Sequence, residues 1–221
     1  MGCDIHPYIE YFYKNELAQC VDTSTSQTFG QEIFFGRNYT LFGLIAGVRS
    51  GNSKPPFPPK GIPTKPPLSI ECCNSLYTYI SDDIIPSYND DGKKYITRQD
   101  AEDLFSFWSP NKNIIYADLA KTKIITPGYH SMTYLSLPEL LSIRKLYLLE
   151  VIEYDSVVSN KTSKTKIDLL NFIEKEDPCS LMRYSFSEFD CKMLYVTLSA
   201  MLALEKCDSN IETRFVCWFD S

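Results

Sequence analysis

Seven of the 13 prolines of this chain lie in one segment, from Pro55 to Pro67. Proline fixes φ at about −65° and has no backbone N–H to donate, so this segment cannot form a helix or an inner strand. It is expected to be extended, as polyproline II or as turns. Because Phe57 and Ile62 lie among the prolines, we predict a loop over the surface of one domain rather than a linker between two.

Both ends of the chain are predicted to form strands, over Cys3–Tyr13 and over Thr213–Phe219. Pro7 lacks an amide proton, so the first strand is expected at a sheet edge or at a bulge. With strands at both ends and helices between them, the sequence predicts a single α+β domain over residues 1–221. We expect a mostly antiparallel sheet whose first and last strands are paired, with helices packed on it.

The helices are predicted from capping residues and from apolar residues at helical spacing. Asn38 is expected to cap a helix from Tyr39 to about Val48, and Ser136 with Glu139 to open another. Further helices are expected over residues 69–85, 97–108, 165–176 and 187–206, the last being the longest. Buried stripes are expected at Leu41, Phe42, Ile45 and Val48 in the first helix and at Met193, Val196, Ala200 and Leu204 in the last. Residues 149–158 alternate weakly and are predicted to form a strand.

The chain carries a formal charge of −6, with a pI near 5.0. This charge argues against a protein that coats nucleic acid by bulk electrostatics, although one small anion could still find a local basic pocket. No apolar run reaches the roughly 18–20 residues that span a bilayer, so no membrane association is expected. The first six residues lack the layout of a secretory signal, and the eight cysteines contain no CxxC pair. We therefore expect an intracellular protein with free thiols.

Five separated blocks of sequence occur in the order found in one protein family. The blocks are the opening Met-Gly-Cys-Asp-Ile-His and residues 37–49, 59–63, 130–140 and 214–220. On these blocks the chain resembles a family of small, largely uncharacterised proteins encoded by tailed phages and related viruses. That family opens with the same six residues and ends in a similar Arg-x-Val-x-Trp-Phe-Asp strand. The resemblance covers the chain from end to end, except for an acidic insertion at about residues 84–126.

Two positions in these blocks depart from the family pattern. Lys60 stands where the family usually has Arg, and Tyr134 stands where it usually has Trp. Lys60 keeps the positive charge but loses the bidentate geometry of a guanidinium. The resemblance implies a viral accessory protein, and hence the host cytoplasm, but it implies no settled activity.

The sequence contains only two histidines, His6 and His130, and each lies in one of these blocks. Histidine is the side chain best suited to proton transfer near neutral pH and is the commonest metal ligand. Asp4 and His6 are two apart on a predicted strand and point the same way, so with His130 they are candidate ligands of a divalent metal ion. Asp220 could complete that site if the terminal strands are neighbours. The simpler interpretation is that His6 hydrogen-bonds Asp4 or a backbone carbonyl and orders the N-terminus.

A second interpretation needs no metal. His6 and His130 would act as general acid and base across a phosphodiester, with Asp4 orienting His6. The candidates for holding the phosphate are four cations, Arg37, Arg49, Lys60 and Arg214. Each could equally be an ordinary surface residue; Arg49 is the strongest candidate because it follows an apolar helix and precedes a turn. Tyr39 is a candidate for stacking on a base, while Ser131 lacks the glycine-flanked elbow of hydrolases and is interpreted as a loop or cap residue.

The sequence therefore predicts a pocket for a phosphate-bearing small molecule, with a nucleotide as the first candidate. The protein would hydrolyse this ligand by histidine-based or metal-assisted chemistry. The competing prediction is a non-catalytic protein that sequesters a nucleotide or blocks a host factor. The sequence leaves the cofactor, for which a divalent metal ion is the candidate, and the oligomeric state open.

Overall fold

The computed structural model describes residues 2–14, 16–20, 37–49, 54–61, 63, 76–83, 93–108, 120–126, 128–158, 164–186 and 188–220. The strands in these ranges are β1 (Ile5–Tyr13), β2 (Glu16–Cys20), β3 (Tyr77–Ile80), β4 (Lys94–Ile96), β5 (Lys123–Ile125), β6 (Tyr129–Ser136) and β7 (Ile211–Asp220). The helices are α1 (Tyr39–Ala46), α2 (Arg98–Trp108), α3 (Leu137–Val158), α4 (Lys164–Lys175) and α5 (Lys192–Cys207), with a 3₁₀ turn at Ser180–Arg183. The predicted α+β class is confirmed.

The larger sheet is antiparallel, with the strand order β2-β1-β7-β6. β1 and β7 pair along the whole of β1, from Ile5 opposite Phe219 to Tyr13 opposite Ile211. The predicted pairing of the first and last strands is therefore confirmed. This pairing places β1 and β7 at the centre of the sheet.

Pro7 lies opposite Cys217 of β7, while β2 pairs with β1 only from Glu10 onward. In the described part of the chain, β1 thus has one neighbouring strand at Pro7, which suits a residue without an amide proton. From Glu10 onward β1 is an inner strand, and its register with β2 shifts between Tyr11 and Phe12. The expected edge is therefore confined to the first half of β1.

Helices α1, α3 and α5 cover one face of the larger sheet. Helix α1 is capped by Asn38, whose Oδ1 accepts a hydrogen bond from the N–H of Leu41 at 3.1 Å. Its C-cap is Gly47, which adopts the left-handed conformation with φ 71°. All four predicted core residues are buried: Leu41, Phe42 and Ile45 lie in the helix, and Val48 follows it, because the helix ends at Ala46 rather than at about Val48.

Helix α3 begins as predicted, because the N–H and the hydroxyl of Ser136 donate to Glu139 Oε2 at 2.9 and 3.1 Å. It continues for 22 residues, so the strand predicted over residues 149–158 is wrong. Leu148 and Ile152 show the reason: they are four residues apart, fully buried, and pack in one cluster with Ile173 of α4. Apolar residues at helical spacing therefore indicate the structure of this segment better than its weak alternation of apolar and polar residues does.

Helix α5 begins at Lys192 rather than at residue 187, which lies outside the described residues, and α3 is the longer helix. Its buried residues are Leu194, Thr197, Leu198 and Met201, and three of them, Leu194, Thr197 and Met201, lie one position after a residue of the predicted stripe. Val196, which was expected in the core, is 52% exposed. The helix carries apolar residues on several sides, so spacing alone does not determine which side faces the sheet.

The smaller sheet has the order β4-β3-β5 and packs on the other face of the larger sheet, where Leu76 and Ile125 meet Trp218. The helix predicted over residues 69–85 is wrong where the structure describes it, because residues 77–80 form β3; residues 69–75 and 84–85 lie outside the described ranges. The β-branched and aromatic residues of β3 favour a strand. Helix α2 is confirmed, with Thr97 Oγ1 accepting from the N–H of Asp100 at 3.0 Å.

The proline segment contacts β6, the outer strand of the larger sheet, through Lys60 and Gly61. The N–H of Gly61 donates to the carbonyl of Met132 at 3.0 Å, and the N–H of Lys60 donates to Thr133 Oγ1 at 3.2 Å. The described part of the segment contains no helix, as predicted, and it covers an exposed strand edge. Among the described helices, none combines the length and the apolar composition needed to cross a membrane.

Candidate functional site

Most of the candidate residues meet at one end of the larger sheet, where β1 begins, β7 ends and β6 begins. The β1–β7 pairing places His6 opposite Trp218, and the β7–β6 pairing places His130 opposite Phe219. The two histidines therefore flank the last residues of β7. We call this group the strand-end cluster; it comprises Asp4, His6, Arg37, Tyr39, Arg49, His130, Ser131 and Asp220.

Asp220 is the residue that both imidazoles share. Its Oδ2 lies 3.4 Å from Nε2 of His6, and the pair is an ion pair when that imidazole is protonated. The backbone of Asp220 hydrogen-bonds to the ring of His130. Oδ1 of Asp220 accepts a hydrogen bond from the N–H of Asp4 at 2.9 Å, and the N–H of Asp220 donates to the carbonyl of Asp4 at 3.2 Å. The last residue of β7 thus bonds to the start of β1 and contacts both histidines.

The two imidazoles approach Asp220 from opposite faces of the sheet. His6 stacks on Trp218 with ring centroids 5.8 Å apart, and His130 stacks on Phe219 at 6.3 Å. Because neighbouring residues of a strand point to opposite faces, Trp218 and Phe219 hold the two rings on different sides. The histidines predicted from the sequence therefore converge on one residue, but they do not face each other across it.

His130 is also hydrogen-bonded to its neighbour, since its Nδ1 lies 2.9 Å from Oγ of Ser131. Ser131 has a φ of 52°, which residues with a side chain rarely adopt, and it lies where the β6–β7 register shifts. Burial lowers the pKa of His130 below its usual value; the nearby Asp220 opposes this shift and Arg49 adds to it. His130 is therefore mainly neutral at pH 7 and able to accept a proton. The sequence interpretation of Ser131 as a loop or cap residue did not anticipate this contact.

Three of the four cations predicted to hold phosphate have carboxylate partners. Arg37 donates to Asp4 at 2.8 and 3.3 Å, Lys60 to both oxygens of Glu139 at 2.7 Å, and Arg214 to Oε2 of Glu10 at 2.8 and 2.9 Å. Glu10 is completely buried, so the guanidinium of Arg214 compensates a charge inside the protein. The ion pair of Lys60 with Glu139 connects the proline segment to helix α3. The structure shows Lys60 and Arg214 in these ion pairs, and their predicted role in holding a ligand stays a prediction.

Arg49 is the remaining cation. Within the described ranges it has no carboxylate partner, and its guanidinium lies 5.7 Å from the ring centroid of Tyr39. The charge of Arg49 helps to lower the pKa of His130, and it opposes the rise that burial causes in the pKa of the Cys3 thiol. Both effects place the guanidinium beside the strand-end cluster. Arg49 has a φ of 48°, so this cluster contains two non-glycine residues in the left-handed region, the other being Ser131.

Asp4, His6 and His130 are not gathered as the predicted set of metal ligands. A hydrogen bond from the guanidinium of Arg37 holds the pKa of Asp4 below its usual range, and that guanidinium contacts both carboxylate oxygens. The same guanidinium packs on Gly2 so closely that a Cβ at this position would collide with it. In the part of the chain that the structure describes, no three His, Cys, Asp or Glu side chains are arranged to hold a metal ion. The carboxylate of Asp220 lies next to Nε2 of His6, and the charge of His6 also lowers the pKa of Asp4.

Comparison with protein-family models, with curated proteins and with solved structures found no match to this chain. The functional interpretation therefore rests on the contacts of the strand-end cluster. Three features define what this cluster can do: a cation next to an aromatic ring, a neutral imidazole bonded to a hydroxyl, and a carboxylate that links the two strands.

Proposed function

We propose that this chain is a viral accessory protein that binds a phosphate-bearing small molecule, a nucleotide, at the strand-end cluster. The observation that carries the proposal is the position of Arg49, a guanidinium next to Tyr39 and His130 with no carboxylate partner among the described residues. A guanidinium forms charge-assisted hydrogen bonds with phosphate, and an aromatic face beside it offers a stacking surface for a base. The resemblance to the viral family supports the accessory role.

Arg37 provides a second cation for the same ligand. The side chains of Arg37 and Asp4 are 58% and 47% exposed, so their ion pair is a surface pair that stabilises the protein little. A phosphate can therefore compete with the carboxylate of Asp4 for this guanidinium. Lys60 and Arg214 have no part in the proposal, because Glu139 and the buried Glu10 hold them.

The hydrolytic form of the proposal uses His130 as the general base. Its Nδ1 takes the proton from Oγ of Ser131 as that oxygen attacks phosphorus and the bond from phosphorus to the leaving oxygen breaks. The imidazolium then gives the proton to the leaving oxygen, and water cleaves the seryl phosphate in a second step. His6 acts as a positioning residue, because it contacts the residue whose backbone orients His130.

The second candidate function is binding without hydrolysis. It is favoured by the placement of the imidazoles on opposite faces of the sheet, which prevents one phosphate group from lying between both rings. In this form Arg49, Arg37 and Tyr39 hold the nucleotide, and the protein keeps it from other proteins.

Calorimetric titration with ribonucleoside mono-, di- and triphosphates and with cyclic nucleotides tests the binding proposal. Arg49→Met is expected to weaken the affinity about tenfold or more, the effect of losing a hydrogen bond to a charged group. Arg98→Met is the matched control, because Arg98 is exposed on helix α2 and its side chain has no partner in the described ranges. An unchanged affinity in Arg49→Met, an equal loss in both variants, or no binding by the unmodified chain would refute the proposal.

Phosphorus NMR on the bound nucleotide then separates hydrolysis from sequestration. If the protein is a hydrolase, product signals appear with the unmodified chain and vanish in His130→Ala and Ser131→Ala while the affinity is retained. If it sequesters the nucleotide, the ligand stays intact with every variant. Turnover that persists in Ser131→Ala would contradict the role given to that hydroxyl.

A further inference from the structure

Helix α5 and the turn that precedes it form a second candidate site. A cleft of about 430 Å³ lies between residues 177–183 and the C-terminal half of α5. This volume is in the range of small-molecule sites. None of the residues lining the cleft belongs to the strand-end cluster.

The lining of the cleft is positively charged. Arg183 and Lys206 contribute two cations, and neither has a hydrogen-bond or ion-pair partner in the part of the chain that the structure describes. Asp177 is the carboxylate among the lining residues, and its Oδ2 accepts hydrogen bonds from the N–H groups of Cys179 and Ser180, each at 3.0 Å. Asp177 thus closes the turn, and the lining keeps a net positive charge.

The rest of the lining is mixed in character. Ser199 donates its hydroxyl proton to the carbonyl of Tyr195 at 2.8 Å, whereas the hydroxyl of Ser180 has no partner within the described residues and can donate to a ligand. Met182 and Leu202 add apolar surface. Two cations and a free hydroxyl beside apolar side chains suit a ligand with an anionic head and an apolar body.

The 3₁₀ turn that lines the cleft is hydrogen-bonded to a buried arginine. Arg144, which is 1% exposed, donates to the carbonyls of Leu181 and Tyr184 at 3.1 and 3.3 Å and contacts Sδ of Met182 at 3.4 Å. These contacts fix the 3₁₀ turn that carries Arg183. A site whose backbone is fixed before the ligand arrives loses less conformational entropy on binding.

We propose that this cleft is a binding site for a small organic phosphate monoester, separate from the nucleotide site at the strand-end cluster. Arg183 and Lys206 bind the phosphate, and Met182 and Leu202 contact the organic part. The proposal does not depend on the function of the strand-end cluster, because the two sites share no residue.

Two exposed thiols allow a direct test. Cys179 is exposed and lines the cleft. Cys207 is also exposed and directly follows the lining residue Lys206, but it does not line the cleft itself. The intact chain is treated with N-ethylmaleimide at increasing concentrations of phenyl phosphate, and the alkylation rate of each cysteine is measured by peptide mass spectrometry. Alkylation of Cys179 is expected to slow to a plateau while that of Cys207 stays constant. No slowing at Cys179, or equal slowing at both cysteines, would overturn the proposal.

Inorganic phosphate and benzyl alcohol represent the two halves of the probe. Each is expected to protect Cys179 less well than phenyl phosphate at the same concentration. Equal protection by inorganic phosphate would show that the apolar surface contributes nothing, and equal protection by benzyl alcohol would show that the cations contribute nothing. Either result would contradict a site for an organic phosphate.

Substitutions of the two cations complete the test. Arg183→Met and Lys206→Met are each expected to raise the half-protecting concentration of phenyl phosphate about tenfold, the effect of losing a charged hydrogen bond. Lys192→Met is the matched control, because Lys192 is exposed on the same helix and does not line the cleft. A response of the two cleft variants equal to that of the control would overturn the proposal.

Discussion

The buried ion pair between Arg144 and Asp190 allows a quantitative prediction. Arg144 donates to both carboxylate oxygens of Asp190, at 3.1 and 2.6 Å, and the two side chains are 1% and 8% exposed. The same guanidinium serves the carbonyls of Leu181 and Tyr184. Each partner therefore compensates a charge that water cannot reach.

The loss in free energy of unfolding for each substitution depends on which buried charge or carbonyl it leaves without a partner. Asp190→Leu leaves a buried guanidinium without its counter-ion, at a cost of about 3–5 kcal/mol. Arg144→Leu leaves the buried carboxylate of Asp190 without its counter-ion. It also leaves the carbonyls of Leu181 and Tyr184 without this donor, at a cost of about 1–3 kcal/mol for each carbonyl. The double variant has no buried charge at this position, and what it loses is the set of contacts from Arg144 to the two carbonyls and to Met182. It is therefore expected to be more stable than Arg144→Leu alone, although it carries one substitution more.

Urea unfolding monitored by tryptophan fluorescence and circular dichroism measures the four free energies of unfolding. Because the free energy of unfolding of native proteins is typically about 5–15 kcal/mol, the single variants are expected to remain folded enough for their unfolding to be measured. The coupling energy is expected to exceed about 2 kcal/mol and to favour the double variant. A double variant whose loss equals the sum of the two single losses within about 0.5 kcal/mol would refute this reasoning.

Three further predictions concern other parts of the fold. Since the pKa of His130 is lowered in the folded chain, the free energy of unfolding should decrease as the pH falls through 6.5 and below, and His130→Gln should reduce this decrease in urea titrations at several pH values. Asn38→Ala should cost about 1–2 kcal/mol, because it removes the cap of α1 and the 2.9 Å hydrogen bond to the hydroxyl of Tyr147. Arg214→Met should cost about 3–5 kcal/mol, because it leaves the buried carboxylate of Glu10 without this guanidinium, and chemical denaturation measures the loss.

Each of these predictions has a control. A pH dependence in His130→Gln identical to that of the unmodified chain would contradict the first. Thr97→Ala removes only the cap bond of helix α2 and should cost less than Asn38→Ala, which also loses the bond to Tyr147; an equal or larger cost would contradict the second. Lys60→Met breaks a partly exposed pair and should cost at most about 1 kcal/mol, so an equal loss in Arg214→Met would contradict the third.

Local sequence signals predicted the fold where a side chain bonds to its own neighbourhood. Asn38 and Ser136 were identified from the sequence because a capping residue acts within three or four positions. Pairing of the terminal strands was predicted from the strands at both ends of the sequence with helices between them, and β1 and β7 do pair along the whole of β1. The spacing of apolar residues did not predict which side of α5 is buried, because this helix has apolar residues on several sides. The buried side is determined by packing against the sheet, whose strands include residues far away in sequence.

The candidate site shows the same limit. Sequence identified both histidines and singled out Arg49, but it could not show which cations carboxylates already hold. Arg37, Lys60 and Arg214 meet their partners 33, 79 and 204 positions away, and only the folded chain brings these charges together. The bulge that turns Ser131 toward His130 likewise depends on the register between β6 and β7.

Proton–nitrogen NMR of the two imidazoles tests most directly whether the strand-end cluster is one electrostatic unit. The chain has only His6 and His130, so each ring can be assigned and followed through a pH titration. Asp220→Asn should shift the signals of both rings and lower the pKa of His130, whereas Arg49→Met should raise that pKa. If Asp220→Asn leaves either ring unchanged, or Arg49→Met leaves the pKa of His130 unmoved, the residues do not form the cluster on which the proposed function rests.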